Sequence, residues 1–317
     1  RGCQRMIDIA EQMGPDDLLL LGLTGGCSAL MGYPVEGTTL EDLQEATDVM
    51  LKAGMWVMDI NDIRGHLSRM SRGRLGQHIH GAKILCFEIW DAVGLDDITD
   101  YTEPVPIMGT PVGYDTVTFE DIGAILRKYH IEDKLPRNVA RYLLDYDPAQ
   151  ETPQTMTNDV DYYIVNTLPD SCQAALEAAE EMGIPAHVLT TYAEGESRDY
   201  GTFMASLAHE VVKNERPFRA PCFLFSAGET TTAIPDSSLI RGHGGPSQEM
   251  TAAFAVAAEG LKNVCLLSMD SEGTDGTTPV AGGLTDGTTG TAAAEQGIDL
   301  RKALREHAAY EALEPLG

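Results

Sequence analysis

The 317-residue sequence predicts an α/β protein of two Rossmann-like or mixed-sheet α/β domains. Three observations carry that expectation. Apolar runs alternate with helical patterns: LLLLGL (18–23), KILCFEI (83–89), YYIVN (162–166), AHVLTT (186–191), CFLFS (222–226) and NVCLLSM (263–269). Alternation of this kind argues for parallel sheets covered by helices. The segments between the runs carry helix-end signals, and the length suits two domains of about 100–200 residues each.

Taken in order, Thr39 and Asp42 form a capping-box start, Leu43, Ala46, Met50 and Leu51 share one face, and Gly54 closes that helix. Pro169–Gly183 reads the same way, with Asp170 or Ser171 as its cap and Ala174, Ala175, Ala178 and Met182 along one side. A small-residue helix is expected from Ser247 to Gly260, and TTAI is expected as a strand separate from CFLFS. Pro104, Pro106, Pro111 and Gly113 mark one irregular stretch, and DYDPAQETPQ marks a connection. The change of domain is expected at NERPFRAP, which divides the chain into 1–215 and 216–317.

Composition excludes several classes. A formal charge of −27 repels nucleic acid and anionic membranes at long range. No apolar run approaches the roughly 20 residues that span a bilayer. The six cysteines lack paired spacing, as buried free thiols do, which points to a reducing cytoplasm and no zinc site. Neither GxGxxG after a strand, nor a P-loop, nor a GxSxG elbow is present.

Four segments could carry chemistry. The first is basic: residues 63–87 hold Arg64, Arg69, Arg72, Arg74, Lys83, His66, His78 and His80 with no acidic residue. Arginine forks match carboxylate and phosphate oxygens, so this is an anion site or a face that pairs with acidic neighbours or a second subunit of a homo-oligomer. The second is the glycine corner TGGCSAL, whose Gly25, Gly26 and Ser28 could present amides and a hydroxyl, or form a plain turn. The third is GHGGPSQE (242–249), a glycine loop entering a helix, suited to phosphate or to ordinary capping by Ser247.

The fourth, SMDSEGTDGTTPVAGGLTDG (268–287), reads as a loop leaving a buried strand. Its Asp270, Glu272, Asp275 and Asp286 could hold a hard cation, and Gly273, Gly276, Gly282 and Gly283 permit tight turns. Glu229, in GETT between two strands, needs a metal, an arginine or several amides.

In the order TGGCSALM, NDIRGHLSRMSRGRLG, DAVGLDD, ETP, EGESR, AGETTT, GHGGPSQE and SEGTDGTTPVAGG, these motifs resemble the glycerate 2-kinase family, whose C-terminal part is called the MOFRL domain. The resemblance covers nearly the whole chain. It implies transfer of the ATP γ-phosphoryl group to a hydroxyl of D-glycerate or a similar small hydroxy acid, with Mg²⁺, in a cleft between two α/β domains. By resemblance, Arg64 and Arg74 hold carboxylate or phosphate oxygens, Asn61 and Ser68 orient, and Gly25, Gly26 and Ser28 face an anionic group. Gly244, Gly245, Gln248, Asp275 and Thr278 line the nucleotide side, with Asp275 catalytic and Asp91, Glu229, Glu249 and Glu272 as metal ligands.

The chain departs from the family where Pro246 replaces an arginine of the Gly-Gly-Arg-Asn-Gln-Glu segment, with Arg241 or His243 as substitutes. The segments Trp90-Asp91-Ala92, Gly109-Thr110-Pro111 and Ser71-Arg72-Gly73-Arg74 differ as well, and the family's upstream lysine segment and a C-terminal segment are missing. Two further readings stay open: a non-catalytic, ligand-binding relative, and hydroxypyruvate reduction.

Overall fold

A computed structural model describes every residue except 92, 94–109, 156–157 and 235–236, and the side chains of Ser28, Ala29, Val57 and Ser237. Pro104, Pro106, Ala92 and Gly109 therefore lie outside the described residues. The chain forms two compact units, residues 1–90 with 96–166, and residues 91–95 with 167–317.

The first unit runs α1 (Gly2–Ala10), β1 (Leu18–Leu23), α2 (Cys27–Leu30), α3 (Leu40–Lys52), α4 (Val57–His66), β2 (Lys83–Ile89), α5 (Phe119–Tyr129), α6 (Arg137–Leu144) and β3 (Val160–Asn166). Its sheet is parallel in the order β1-β2-β3, with Leu21 opposite Cys86 and Cys86 opposite Tyr162. Leu21, Leu23, Ile84, Cys86 and Tyr162 pack on Ile7, Ala10, Met70 and Ile79, and burial pushes the Cys86 thiol up to about 12. A second core joins α3, α4, α5 and α6 through Met50, Ile63, Ile122, Leu126, Val139 and Leu143. The opposite sheet face stays open, for Leu20 is 64% and Val165 56% exposed, so these runs are not buried on both sides as expected.

Capping explains where the helices begin. At α3, Thr39 Oγ1 accepts from Asp42 N at 3.1 Å while Asp42 Oδ2 accepts from Thr39 N at 2.9 Å. The same reciprocal pair starts α5 at Thr118 and Asp121.

The second unit runs α7 (Leu168–Glu181), β4 (Ala186–Glu196), α8 (Ser197–Asn214), β5 (Phe223–Thr231), α9 (Pro246–Ala257), β6 (Cys265–Met269), β7 (Gly282–Asp286), α10 (Thr289–Glu295), α11 (Leu300–Arg305) and α12 (Ala309–Leu313). Helix α7 is capped by Thr167 with Asp170 at its third position, not by Asp170 or Ser171, because only Thr167 has the extended backbone of a cap. Strands β4 and β5 pair in parallel, and β6 and β7 pair antiparallel.

Several expectations change here. GETT lies inside β5 rather than between two strands, because β4 runs on to Glu196 and gives Glu229 and Thr231 partners at Glu194 and Glu196. Gly282 and Gly283 form strand β7 rather than turns, and a Cβ on Gly282 would sit 2.0 Å from Ser268 O. The acidic loop therefore closes at residue 281. Strand β6 is half open, with Leu267 61% exposed, and Cys265 is exposed rather than buried. The boundary read at residue 215 falls within the second unit, since β4 and α8 before it pack on β5 and α9 after it. Among the described residues no helix is long and apolar enough to cross a membrane.

Candidate functional site

In the first unit, Thr24-Gly25-Gly26 leaves the C-terminal end of β1, and Gly26 takes φ 73° as it enters the four-residue helix α2. The chain beyond α2 is stitched to the exit of α4, where Val35 N donates to Leu67 O at 3.1 Å and Arg69 N to Tyr33 O at 2.8 Å. The structure thereby brings the glycine corner's segment and the RGHLSR segment together. Ser68 serves that join: its Oγ donates to Met31 O at 3.2 Å and accepts from Met70 N at 3.2 Å. The Ser28 side chain lies outside the described residues.

The basic segment proves mostly paired. Arg72 is buried and bridges Asp62 and Asp115, its Nη1 lying 2.5 Å from Asp115 Oδ1. It crosses α4 at Gly65, where a Cβ would meet its Nε at 2.1 Å. Arg74 is also buried and has no anionic partner among the described residues: Nη1 donates to His66 O at 2.8 Å and Ser68 O at 2.9 Å, and Nη2 to Gln150 O at 2.9 Å and Tyr142 Oη at 3.2 Å. Its fork is consumed by backbone carbonyls, so it ties loops together. Lys83 pairs with Asp159 and Asp161, His78 with Glu11, and Arg69 lies over the Tyr33 ring at 4.9 Å.

Arg64 differs. It is half-buried on α4, and among the described residues it makes no ion pair or side-chain hydrogen bond; burial alone pulls its pKa below the ordinary value. Asn61 stands one turn earlier, also half-buried and without a hydrogen-bond partner among the described residues. Residues three apart are neighbours on a helix, so the two form one surface. A partly desolvated guanidinium without a counter-charge is poised for an anion from solution. His66, fully buried, is held below its usual pKa by burial, against the pull of Asp115.

The second unit supplies the opposite charge. Burial first, and then mutual repulsion, raise the pKa values of three of its carboxyls. Asp91 feels Asp270; Glu229 feels Asp91, Asp270 and Glu194; Glu272 feels Asp270, Asp91 and Glu229. None of Asp91, Glu229, Asp270 and Glu272 has a Lys, Arg or His ion pair among the described residues. Three of the four residues expected as metal ligands, with Asp270, are thus near enough to repel one another. Glu194, opposite Glu229 in the β4–β5 register, escaped sequence reasoning; alternation along β4 was the available signal. No three of the described His, Cys, Asp and Glu side chains are close enough to hold a metal ion by themselves.

Glu249 is elsewhere. It is buried, accepts from Arg198 Nε at 2.5 Å, and lies 2.9 Å from His307 Nδ1, an arrangement that satisfies its charge. Asp286 is likewise engaged, accepting from Thr288 N at 2.8 Å and Thr289 N at 3.0 Å at the start of α10.

The glycine loop before α9 is closed by protein. Asp275 accepts from Ser247 N at 3.1 Å, Gln248 N at 2.9 Å and Gln248 Nε2 at 2.8 Å, so a carboxylate fills the place read for phosphate. Thr278 Oγ1 accepts from Gln248 Nε2 at 2.9 Å, and Gly244 and Gly245 pack beneath this network. Arg241 donates to Ser238 O and Ile240 O, and His243 pairs with Glu311, so neither lies free beside Pro246.

Residues 1–144 match the domain of unknown function DUF4147, and residues 222–317 match the MOFRL family. A glycerate 2-kinase of Pyrococcus horikoshii is 36% identical over 319 residues, which span 100% of this chain and 70% of that protein. The crystal structure of a Thermotoga maritima glycerate kinase matches with a TM-score of 0.74 at 33% identity, covering 99% of this chain and 71% of that one. A relative from Agrobacterium vitis, provisionally named a hydroxypyruvate reductase, is 30% identical over 98% of this chain and 77% of its own.

Proposed function

The chain belongs to the glycerate 2-kinase family, and from that premise we propose that it is a cytoplasmic, ATP-dependent phosphotransferase acting on D-glycerate or a similar small hydroxy acid. The observation that carries the substrate class is Arg64, half-buried and without an anionic partner among the described residues. A small carboxylate satisfies it by two parallel hydrogen bonds, and Asn61 can orient the acid on the same helix face. The amides of Gly25 and Gly26 offer further donors to an anionic group.

In the second unit the donor chemistry suits a hard divalent cation. Asp91, Glu229, Asp270 and Glu272 are all oxygen donors, mutually repelling and without a Lys, Arg or His ion pair among the described residues. Mg²⁺ keeps much of its water and binds through one or two carboxylates with substrate phosphates, so a loose carboxylate ring matches its needs better than a tight cage does. When bound, Mg²⁺ would neutralise nucleotide phosphate charge. The chain's own residues then have two tasks: Arg64 holds the acid against rotation, and the carboxylates hold charge where phosphate must sit. Such positioning and neutralisation are what phosphoryl transfer asks of a protein.

The test is ADP formation by the purified protein with ATP, Mg²⁺ and D-glycerate. Turnover that requires the acid supports the proposal; no ADP with glycerate or related 2-hydroxy acids overturns it. One observation favours a binding-only relative, namely that Pro246 and Asp275 leave the start of α9 without a grip on phosphate. Heat of glycerate binding without turnover would select that reading. Reduction of hydroxypyruvate would need NADH oxidation, and no dinucleotide fingerprint supports it.

A further inference from the structure

We infer that Asp275 is a positioning residue: by capping α9 and gripping Gln248 it latches the 270–281 loop in the place from which Asp270 and Glu272 act. Its three accepted hydrogen bonds come from two backbone amides of the first turn of α9 and from the buried side-chain amide of Gln248. Carboxylates are stabilised at that helix end by the free N–H groups and the helix dipole. Gln248 in turn donates to Thr278 Oγ1 and to Asp275 O, so the loop is held at both of its corners.

Backbone contacts complete the latch. Asp270 N donates to Ala281 O and Asp275 N to Val280 O, each at 2.7 Å, and Thr277 N reaches Gly244 O at 3.3 Å. The two loops approach so closely that a Cβ on Gly245 would stand 2.3 Å from Asp275 Oδ1, and one on Gly276 would stand 2.1 Å from Gly244 O. Asp275, Gln248 and Thr278 are all buried, so the latch is shielded from solvent. Gly244, Gly245, Gln248 and Thr278, expected to bind phosphate or nucleotide, thereby join Asp275 in the base on which two carboxylates stand.

This inference rests on the proposed cation site, and the experiment separates the two. Mn²⁺ alone is titrated into the purified protein, followed by electron paramagnetic resonance, for the wild type, Asp270→Asn and Asp275→Asn. The expected result is binding by the wild type, loss in Asp270→Asn, and an affinity about tenfold weaker in Asp275→Asn, the scale typical of groups that orient ligands. Amide hydrogen exchange is read in parallel, with faster exchange expected at residues 270–281 in Asp275→Asn and unchanged exchange in β4 and β5. Wild-type affinity together with wild-type exchange in Asp275→Asn overturns the latch. A wild type that binds no Mn²⁺ overturns the cation site instead, and exchange alone then decides the latch. Should Asp275→Asn fail to fold, Thr278→Val must show the same changes in smaller degree, and its failure to do so overturns the inference.

Discussion

The basic segment of the first unit and the acidic ring of the second are both concentrations of like charge, yet they end in opposite states. Arg72 and Arg74 are taken out of water and given strong partners, two carboxylates for one and three carbonyls with a phenol for the other, although Arg72 Nε has no hydrogen-bond partner among the described residues. Asp91, Glu229 and Glu272 are partly desolvated and repel one another, without a Lys, Arg or His ion pair among the described residues. Arg64 belongs chemically with these carboxyls, because it too is partly desolvated without an ion-pair partner among the described residues. Satisfied charge builds the fold, and unsatisfied charge waits for something from outside.

The largest expected effect that could break this contrast is on stability. Arg72→Met should cost about 3–5 kcal/mol in urea unfolding, since it strands Asp115 and Asp62 without a counter-charge. Arg64→Met should leave the urea midpoint unchanged and raise KM for the acid by about thirtyfold, the equivalent of roughly 2 kcal/mol for a charge-assisted hydrogen bond. Equal destabilisation by both variants would erase the distinction.

A pH titration of melting temperature sharpens it. The acidic ring has folded pKa values above the unfolded ones, so its contribution is full below the ordinary carboxylate range and is lost as pH rises through the raised values. His66 has a depressed folded pKa, so its contribution is present above about 6.5 and is lost as pH falls below that value. In chelator the acidic ring should therefore penalise neutral pH, and added Mg²⁺ should raise the melting temperature more at pH 7 than at pH 4. An equal gain at both would count against a carboxylate site. The smallest effect is expected from Glu229→Gln, which should raise the metal-free melting temperature at neutral pH by on the order of 2 °C, the shift given by roughly 1 kcal/mol, while removing part of the Mg²⁺ gain.

Much of the scaffold was legible beforehand. The bounds 18–23 and 83–89 coincide with β1 and β2 because a run of apolar, β-prone residues between turn formers has few other uses. The start of α3 followed from Thr39 and Asp42, whose capping geometry is local. Strand β7 was hidden, since GGLTD has neither apolar alternation nor β-branched weight and becomes a strand only beside Cys265–Met269. The candidate site divided in the same way. Arg64 and the acidic loop could be singled out by charge and glycine content. That Asp275 would cap a helix lying 27 and 28 residues earlier in the chain could not, nor that Glu249 would be matched by Arg198 and His307.

The sequence by itself determined the α/β alternation, the capped start of α3 and the order of motifs that marks the family, because each is a pattern legible in the chain without its partners in space. Only the tertiary structure decided which charges are spent. Arg72 finds Asp115 across 43 residues and Arg74 finds Gln150 across 76, and such pairings depend on burial and distance, quantities that local periodicity does not encode.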